Sequence, residues 1–228
     1  MSTTRFVCLL ASTLATAAVL MAVAQSPALQ RGVSVQMAVT NHAAPIPDAD
    51  NQNAWIVTVA ADGSLYFGSA PVTPGDLADQ MKARPRNREA KLYLKADARA
   101  QFASVKAALG MARASNFEEV VLLASQPESH ASGTMVPPKG IEVQLEAPAG
   151  GAIMVRLSDP AQGSTLTIND RRVTSPELGS TLKGLLHSHA QVVQVEANDA
   201  VPFADVIRTI DQARAAGATV VLPTYGSL

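Results

Sequence analysis

The stretch FASVKAALGMARA, residues 102–114, recurs 101 residues later as FADVIRTIDQARA, residues 203–215. Both stretches begin with Phe-Ala, carry Val three residues after the Phe, and end with Ala-Arg-Ala, without a gap. Their large apolar residues recur at three- to four-residue spacing, which predicts an amphipathic helix in each. Chance similarity in an alanine-rich chain would not keep Phe and Arg in constant register, so we interpret the pair as an internal repeat.

The same register extends toward the N-terminus of both helices. Residues 72–73 and 173–174 are both Val-Thr, and Lys82 aligns with Lys183. The opening segments match at a slightly different spacing, GVSVQM at 32–37 with GIEVQL at 140–145. The sequence therefore predicts two tandem copies, residues 32–125 and 140–228, joined by a Pro- and Gly-containing linker at 126–139.

Each copy shows the same order of predicted elements. An alternating apolar strand is followed by a hairpin, with Asp62-Gly63 as the turn of the first copy. A helix follows, for which Thr73 or Ser175 would be the N-cap residue; a strand, a second helix and a last strand complete the copy. These patterns predict an α/β (α+β) chain of two tandem small domains, each a mixed sheet with two helices on one face, after one N-terminal apolar helix.

The apolar helix is predicted from residues 6–24, FVCLLASTLATAAVLMAVA, which contain no charged side chain. About 20 residues suffice for a helix to cross a bilayer. The segment fits a membrane anchor within residues 1–25, or a cleaved signal peptide with Ala22-Val23-Ala24 at its cleavage site. Both interpretations place the rest of the chain outside the cytoplasm.

Composition excludes some function classes. The net charge is −1 and charged residues make up 16% of the chain, so the positive field that nucleic-acid binding requires is absent. The single cysteine, Cys8, lies in the apolar segment. The two copies therefore contain neither an intrachain disulfide nor a cysteine-based metal site.

The order of elements and several short motifs resemble the periplasmic domain of the ExbD/TolR family of biopolymer-transport proteins. The motifs are GVSVQM at 32–37, DGSLY at 62–66 leading to VTP at 72–74, KAD at 95–97, and VPF at 201–203. The resemblance covers the first copy throughout and the second copy best from Val173 onward.

The resemblance implies an accessory subunit of a proton-gradient-linked transport system. Its N-terminal helix would lie in the inner membrane beside a multi-span channel protein of the ExbB/TolQ type, with the folded copies in the periplasm. The family's membrane helix carries an aspartate for proton passage, and residues 6–24 hold no such residue. The alternative is a soluble periplasmic binding or scaffolding module without motor activity, released by signal-peptide cleavage, whose ligand would be cell-wall polymer or an envelope protein.

The sequence predicts no catalytic site, metal site or cofactor, and hence no enzyme. His187 and His189 lack a carboxylate or thiol at ligand spacing and indicate a solvated loop. Asp97 is predicted to cap the turn into the second helix, because the second copy has Asn198 there, which can cap but cannot perform acid–base chemistry.

The remaining candidate sites are edge strands that bind a partner. Exposed strand edges accept another chain by β-augmentation or pair with a second protomer to form a homodimer. The alternative is that both segments belong to the sheet of their own domain. The candidate residues, taken from the opening segments of the two copies, are Val33, Val35, Met37, Ile141, Val143 and Leu145.

Overall fold

Seven ranges of the chain are described by the computed structural model: residues 33–51, 53–85, 90–125, 137–146, 151–158, 165–186 and 192–224. They belong to a single unit that begins at Arg31. The predicted apolar segment and most of the predicted linker lie outside the described residues. No helix within the described ranges is long and apolar enough to cross a membrane.

Within the described residues, the first copy contributes six strands and two α-helices, with a short 3-10 helix at Pro47–Asp50 between the first two strands. Its elements are β1 (Ala44–Pro45), β2 (Trp55–Val59), β3 (Leu65–Phe67), β4 (Ala70–Val72), α1 (Pro74–Ala83), β5 (Leu92–Ala96), α2 (Phe102–Ala114) and β6 (Glu119–Ala124).

The second copy repeats this order after its own opening strand. Its elements are β7 (Lys139–Gln144), β8 (Ile153–Leu157), β9 (Leu166–Ile168), β10 (Arg171–Val173), α3 (Ser175–Leu186), β11 (Val192–Ala197), α4 (Phe203–Ala215) and β12 (Thr219–Val221). The helices α2 and α4 each have 13 residues and start 101 residues apart, as the repeat predicts.

The twelve strands of the described ranges join in one mixed sheet. Its order is β10-β9-β8-β11-β12-β7-β6-β5-β2-β3-β4, and β1 pairs with the start of β7. Strands β2, β5 and β6 are parallel to one another, as are β8, β11 and β12. Strand β7 is antiparallel to β6 and parallel to β12, so the two half-sheets run in opposite directions.

The main hydrophobic core lies on one face of this sheet and contains the buried side chains of all four helices. Successive side chains of a strand point to opposite faces of the sheet. In β5, Leu92 and Leu94 therefore belong to the main core, whereas Tyr93 belongs to a smaller cluster on the opposite face. The predicted mixed α/β architecture with both helices of each copy on one face is confirmed.

The helix termini follow the predicted signals, with one correction. Thr73 accepts a hydrogen bond from the Asp76 N–H, and Asp76 accepts one from the Thr73 N–H, a complete capping box. In the second copy Ser175 is the first helical residue and Thr174 takes the capping position, its carbonyl accepting from the Leu178 N–H. The predicted N-cap at Ser175 is therefore wrong by one residue, since the 101-residue register aligns Thr174 with Thr73.

Gly140 of β7 lies between its pairing partners in β6 and β1, where there is little room for a side chain. A Cβ atom there would lie 2.6 Å from Val121 Cγ1 and 3.0 Å from the Leu122 carbonyl oxygen, and the backbone oxygen cannot move freely. We expect Gly140→Ala to lower the free energy of unfolding by about 1–3 kcal/mol through overpacking.

Gly110, inside α2, is the matched control because a Cβ atom there meets nothing within 4 Å. Gly110→Ala should raise the free energy of unfolding by up to about 1 kcal/mol, the helix-propensity difference. Chemical denaturation of both variants measures the two effects. Equal effects of the two substitutions would contradict the close approach at Gly140.

Candidate functional site

The three candidate residues of the second opening segment lie in the middle of the sheet. Ile141 and Val143 of β7, with Leu145 just beyond it, are all at most 3% exposed. Strand β7 pairs with β6 along its whole length on one side, and with β1 and β12 on the other. The prediction of a free edge at these residues is therefore wrong: the flanking strands of both copies already use the backbone groups of β7.

The first opening segment takes a different path, and we call residues 33–46 the strap. The strap crosses the carboxyl ends of β5 and β6. Met37 forms an isolated β-bridge with Asp97. The Ser125 N–H donates a hydrogen bond to the Ala38 carbonyl. Val33 and Val35 are half-buried and lie outside any regular strand. The predicted edge strand is thus replaced by a crossing segment with isolated bridges.

Lys95 holds the beginning of the strap. Its Nζ donates a hydrogen bond of 3.0 Å to the Val33 carbonyl, and burial lowers the pKa of its ammonium group.

The later part of the strap is fixed to the second copy by Asp211. This side chain on α4 is buried and accepts hydrogen bonds from the backbone N–H groups of Asn41, at 3.0 Å, and His42, at 2.9 Å. Its Oδ2 also lies 3.1 Å from Nδ1 of His42. The first copy has Gly110 at the equivalent helix position, so this attachment exists once. No pattern in the sequence pointed to it.

Among the described strands, the sheet ends at β4 and β10. Each has three residues, a length that limits pairing with another chain. Pro71 in β4 has no N–H to donate, whereas β10 carries Arg171 and Arg172. Of the two edges, β10 therefore keeps the fuller set of backbone donors and bears positive charge.

A reciprocal junction joins the two copies at the starts of α2 and α4. The Phe102 N–H donates to the Val201 carbonyl, at 2.9 Å, and the Phe203 N–H donates to the Ala100 carbonyl, at 2.8 Å. A second pair of backbone hydrogen bonds is arranged in the same way. The Ala103 N–H donates to the Asp199 carbonyl, and the Ala204 N–H donates to the Ala98 carbonyl. Each donor and acceptor is 101 residues from its counterpart, so the junction has local two-fold symmetry around the Gln101–Pro202 bridge.

The junction also provides hydrogen-bond acceptors for the first N–H groups of both helices. The first N–H groups of a helix have no partner within it and usually bond to a capping side chain. Neither N-cap residue, Gln101 of α2 or Pro202 of α4, makes such a side-chain bond. Each copy instead satisfies the first N–H groups of the other copy's helix, which makes the two copies mutually dependent.

Ion pairs add to the contact between copies. Lys106 of α2 contacts Asp199 at 2.5 Å, Lys91 contacts Glu142 at 2.7 Å, and Arg113 pairs with Glu146. Most of these side chains are partly exposed, so each pair contributes at most about 1 kcal/mol. Packing around β7 and the backbone junction therefore contribute more to the contact than these charges.

The family comparison agrees with this two-fold architecture. The family model described as "ExbD: Biopolymer transport protein ExbD/TolR" matches residues 9–126 and again residues 123–225. The chain belongs to the ExbD/TolR family. Each match holds one copy, so the reciprocal junction joins two ExbD/TolR-type units within one polypeptide. A comparison with curated proteins finds no match.

Asp97 is a buried carboxylate of this ExbD/TolR chain whose pKa is strongly depressed. Hydrogen bonds from the Arg99 guanidinium, at 2.9 and 3.0 Å, hold the pKa of Asp97 far below its ordinary value; the N–H groups of Arg99 and Gln36 contribute further. Asn198 accepts the Ala200 N–H in the same way. In both copies the side-chain oxygen accepts the N–H of the residue two positions on, so the predicted cap of the turn before the second helix is confirmed. The helix itself begins after this turn, with Gln101 as its N-cap residue.

Asp97 gives the fold a specific acid sensitivity. Because its folded-state pKa is depressed, its stabilising contribution is complete above the ordinary pKa of about 4 and is lost as the pH falls below that value. We expect Asp97→Asn to cost about 1–2 kcal/mol at pH 7, since exposed Arg99 is screened by solvent, and less at pH 2.

Thermal unfolding between pH 7 and pH 2 measures this difference, with Asp79→Asn on the exposed side of α1 as the control. A constant gap between Asp97→Asn and the unsubstituted protein at every pH would contradict the assignment.

The described residues contain no group of three histidine, cysteine, aspartate or glutamate side chains placed to hold a metal ion. His187 and His189, the pair considered from the sequence, lie outside the described ranges. His42 is the histidine that the structure places in a defined contact, with Asp211. The arrangement around β7 and the strap is one of packing and hydrogen bonding between the copies.

Proposed function

We propose that this chain is an accessory subunit of a proton-gradient-linked biopolymer transport system, which acts through its two ExbD-like copies in the periplasm. The observation that carries the proposal is the double family match, whose first part begins at residue 9, inside the apolar segment. A match that includes the segment supports its retention as an inner-membrane anchor. The role is non-enzymatic, as expected for an accessory protein of this family.

The proposed partner is a multi-span membrane protein of the ExbB/TolQ type that contacts residues 6–24. Small side chains allow transmembrane helices to approach closely, and this segment is rich in alanine. It holds no ionisable side chain, so proton passage would depend on groups that the partner supplies. In this proposal the chain transmits or receives a conformational change.

The reciprocal junction supports a further part of the proposal: the two copies act as one body. In a homodimer, two-fold contacts of this kind would join two chains. Here the same polypeptide supplies both halves, so one anchor would carry a complete pair of domains. A homodimer formed through the same surface is not needed for the copies to pair.

The alternative is a soluble periplasmic binding or scaffolding module, with cell-wall polymer or an envelope protein as its ligand. The lack of an ionisable residue in residues 6–24 favours it, because a free module needs no proton relay. It requires cleavage after Ala24.

Intact-mass measurement on membrane and soluble periplasmic fractions separates the two functions. The accessory-subunit proposal predicts an uncleaved chain in the membrane that co-purifies with a multi-span partner. The matched control replaces residues 1–25 with an unrelated single-pass helix, which should keep the chain in the membrane and lose the partner. A soluble species beginning at Gln25 would overturn the proposal in favour of the free module.

A further inference from the structure

The second copy contains a cavity of about 450 Å³ between β10, the start of α3 and the outer side of α4. Its apolar part is formed by Leu157, Leu166, Val173 and Val201. The volume lies within the range of small-ligand sites. Polar and charged residues form the rest of the lining, among them Ser158, Thr165, Thr174, Ser175 and Thr209.

The lining also includes charged residues. Arg172 of β10 and Arg208 of α4 both line it, together with Asp205. Arg208 Nη1 lies 2.9 Å from Asp205 Oδ1, so that pair is neutral as a whole. Arg172 adds one further positive charge. The cavity therefore favours a ligand with a single negative charge and an apolar body, and guanidinium groups bind carboxylates with two parallel hydrogen bonds.

The first copy shows that these charges are not required by the fold. The 101-residue register places Pro71, Ser104 and Ala107 at the positions of Arg172, Asp205 and Arg208. The turn at Gly63 also packs tightly there, since a Cβ atom on Gly63 would lie 2.5 Å from Ser104 Oγ. The same architecture thus forms without any of the three charged side chains. Their presence in the second copy alone points to a role in binding.

The edge of the sheet beside the cavity defines the kind of ligand. Strand β10 pairs with β9 on one side and with no described strand on the other. Its arginines oppose pairing with a second copy of β10, because like charges would meet, but they attract an anionic chain. A free strand edge, an apolar floor and a guanidinium group together match an extended peptide whose last side chain is apolar and whose terminus is a carboxylate.

We propose that the cavity beside β10 binds the C-terminal carboxylate and the last apolar side chain of an extended peptide. Arg172 holds the carboxylate, Arg208 supports it from α4, and the ligand's side chain lies against Leu157, Leu166 and Val173. The site is independent of the proposed transport function, because either a membrane-anchored or a free chain would carry it.

Binding of a fluorescent peptide to the purified chain tests the proposal. The probe is a five-residue peptide that ends in Val-Leu with a free carboxylate, and its matched control is the same peptide with a C-terminal amide. The free acid should bind at least about tenfold more tightly than the amide, the effect expected of one charge-assisted hydrogen-bonding contact. Equal binding of the two peptides, or no binding of the acid at millimolar concentration, would overturn the proposal.

Substitutions at exposed arginines locate the binding site. Arg172→Gln should weaken the acid about tenfold and leave the amide unchanged, whereas Arg171→Gln, on the same strand but outside the cavity lining, should change neither. Both side chains are exposed, so both variants should fold, which circular dichroism checks. Equal weakening by the two substitutions would indicate general charge attraction and would overturn the assignment to Arg172.

Discussion

Val143→Pro should unfold both copies together, whereas Val35→Pro should leave them folded. The two residues occupy equivalent places in the opening segments of the repeat, but Val143 lies in β7 opposite Val120 of β6, with 1% of its surface exposed. Proline in an interior strand removes a donor from the ladder and cannot be accommodated without distortion. We expect a loss of about 4 kcal/mol or more, the range of the most severe single substitutions.

Val35→Pro provides the matched comparison. Val35 is half-buried in the strap and belongs to no strand, so we expect a loss of about 1 kcal/mol. Circular dichroism of both variants during thermal unfolding measures the difference. A folded Val143→Pro variant with a nearly unchanged Tm would show that β7 does not hold the two half-sheets together.

Phe203→Ala should destabilise the first copy as much as the second. Phe203 is fully buried at the junction, and truncation of a buried Phe to Ala costs about 3–5 kcal/mol. If the two copies unfold in one transition, this loss appears in the exchange protection of every amide that exchanges by global unfolding. Those amides include the interior amides of β5 and β6 in the first copy, although Phe203 lies in the second copy.

Amide hydrogen exchange on Phe203→Ala and on Arg171→Gln measures this coupling. The exposed arginine substitution should change protection by no more than about 0.5 kcal/mol. Loss of protection confined to β8, β11 and β12 would mean that the copies unfold independently.

The helical repeat could be read directly from the sequence because its signals are local. Phe, Val and Ala-Arg-Ala recur in one register, and Asn116 and Gly217 adopt the positive φ angles that end α2 and α4, as their residue types indicate. The hairpins and capping residues depend on equally short patterns, and the one-residue error at Ser175 arose where two adjacent hydroxyl residues could both cap the helix.

The roles of the opening segments could not be read in this way. GVSVQM and GIEVQL are nearly the same pattern, yet the sheet has one position between β6 and β12. Strand β7 fills that position, so the first segment crosses the strand ends as the strap. Which of two similar segments occupies one position depends on long-range pairing, and an alternating pattern specifies only that a strand has one apolar face.

The candidate binding site was missed for a related reason. Arg172, Asp205 and Arg208 are scattered in sequence, and each resembles an ordinary surface charge. The 101-residue register places them against Pro71, Ser104 and Ala107, and this contrast between the copies was the available signal. It becomes informative once the structure shows that the three charged residues line the same cavity.

The central structural claim is that the two ExbD/TolR-type copies cap each other's helices and form one body. Site-resolved hydrogen exchange of the amides of Phe102, Ala103, Phe203 and Ala204 tests it most directly in the unsubstituted chain. These amides lie in the first turns of their helices and would exchange rapidly if the copies were separate, because no intrahelical carbonyl accepts from them. The account predicts that they exchange as slowly as the interior amides of β6 and β7. Rapid exchange at all four positions, with the strand amides still protected, would contradict it.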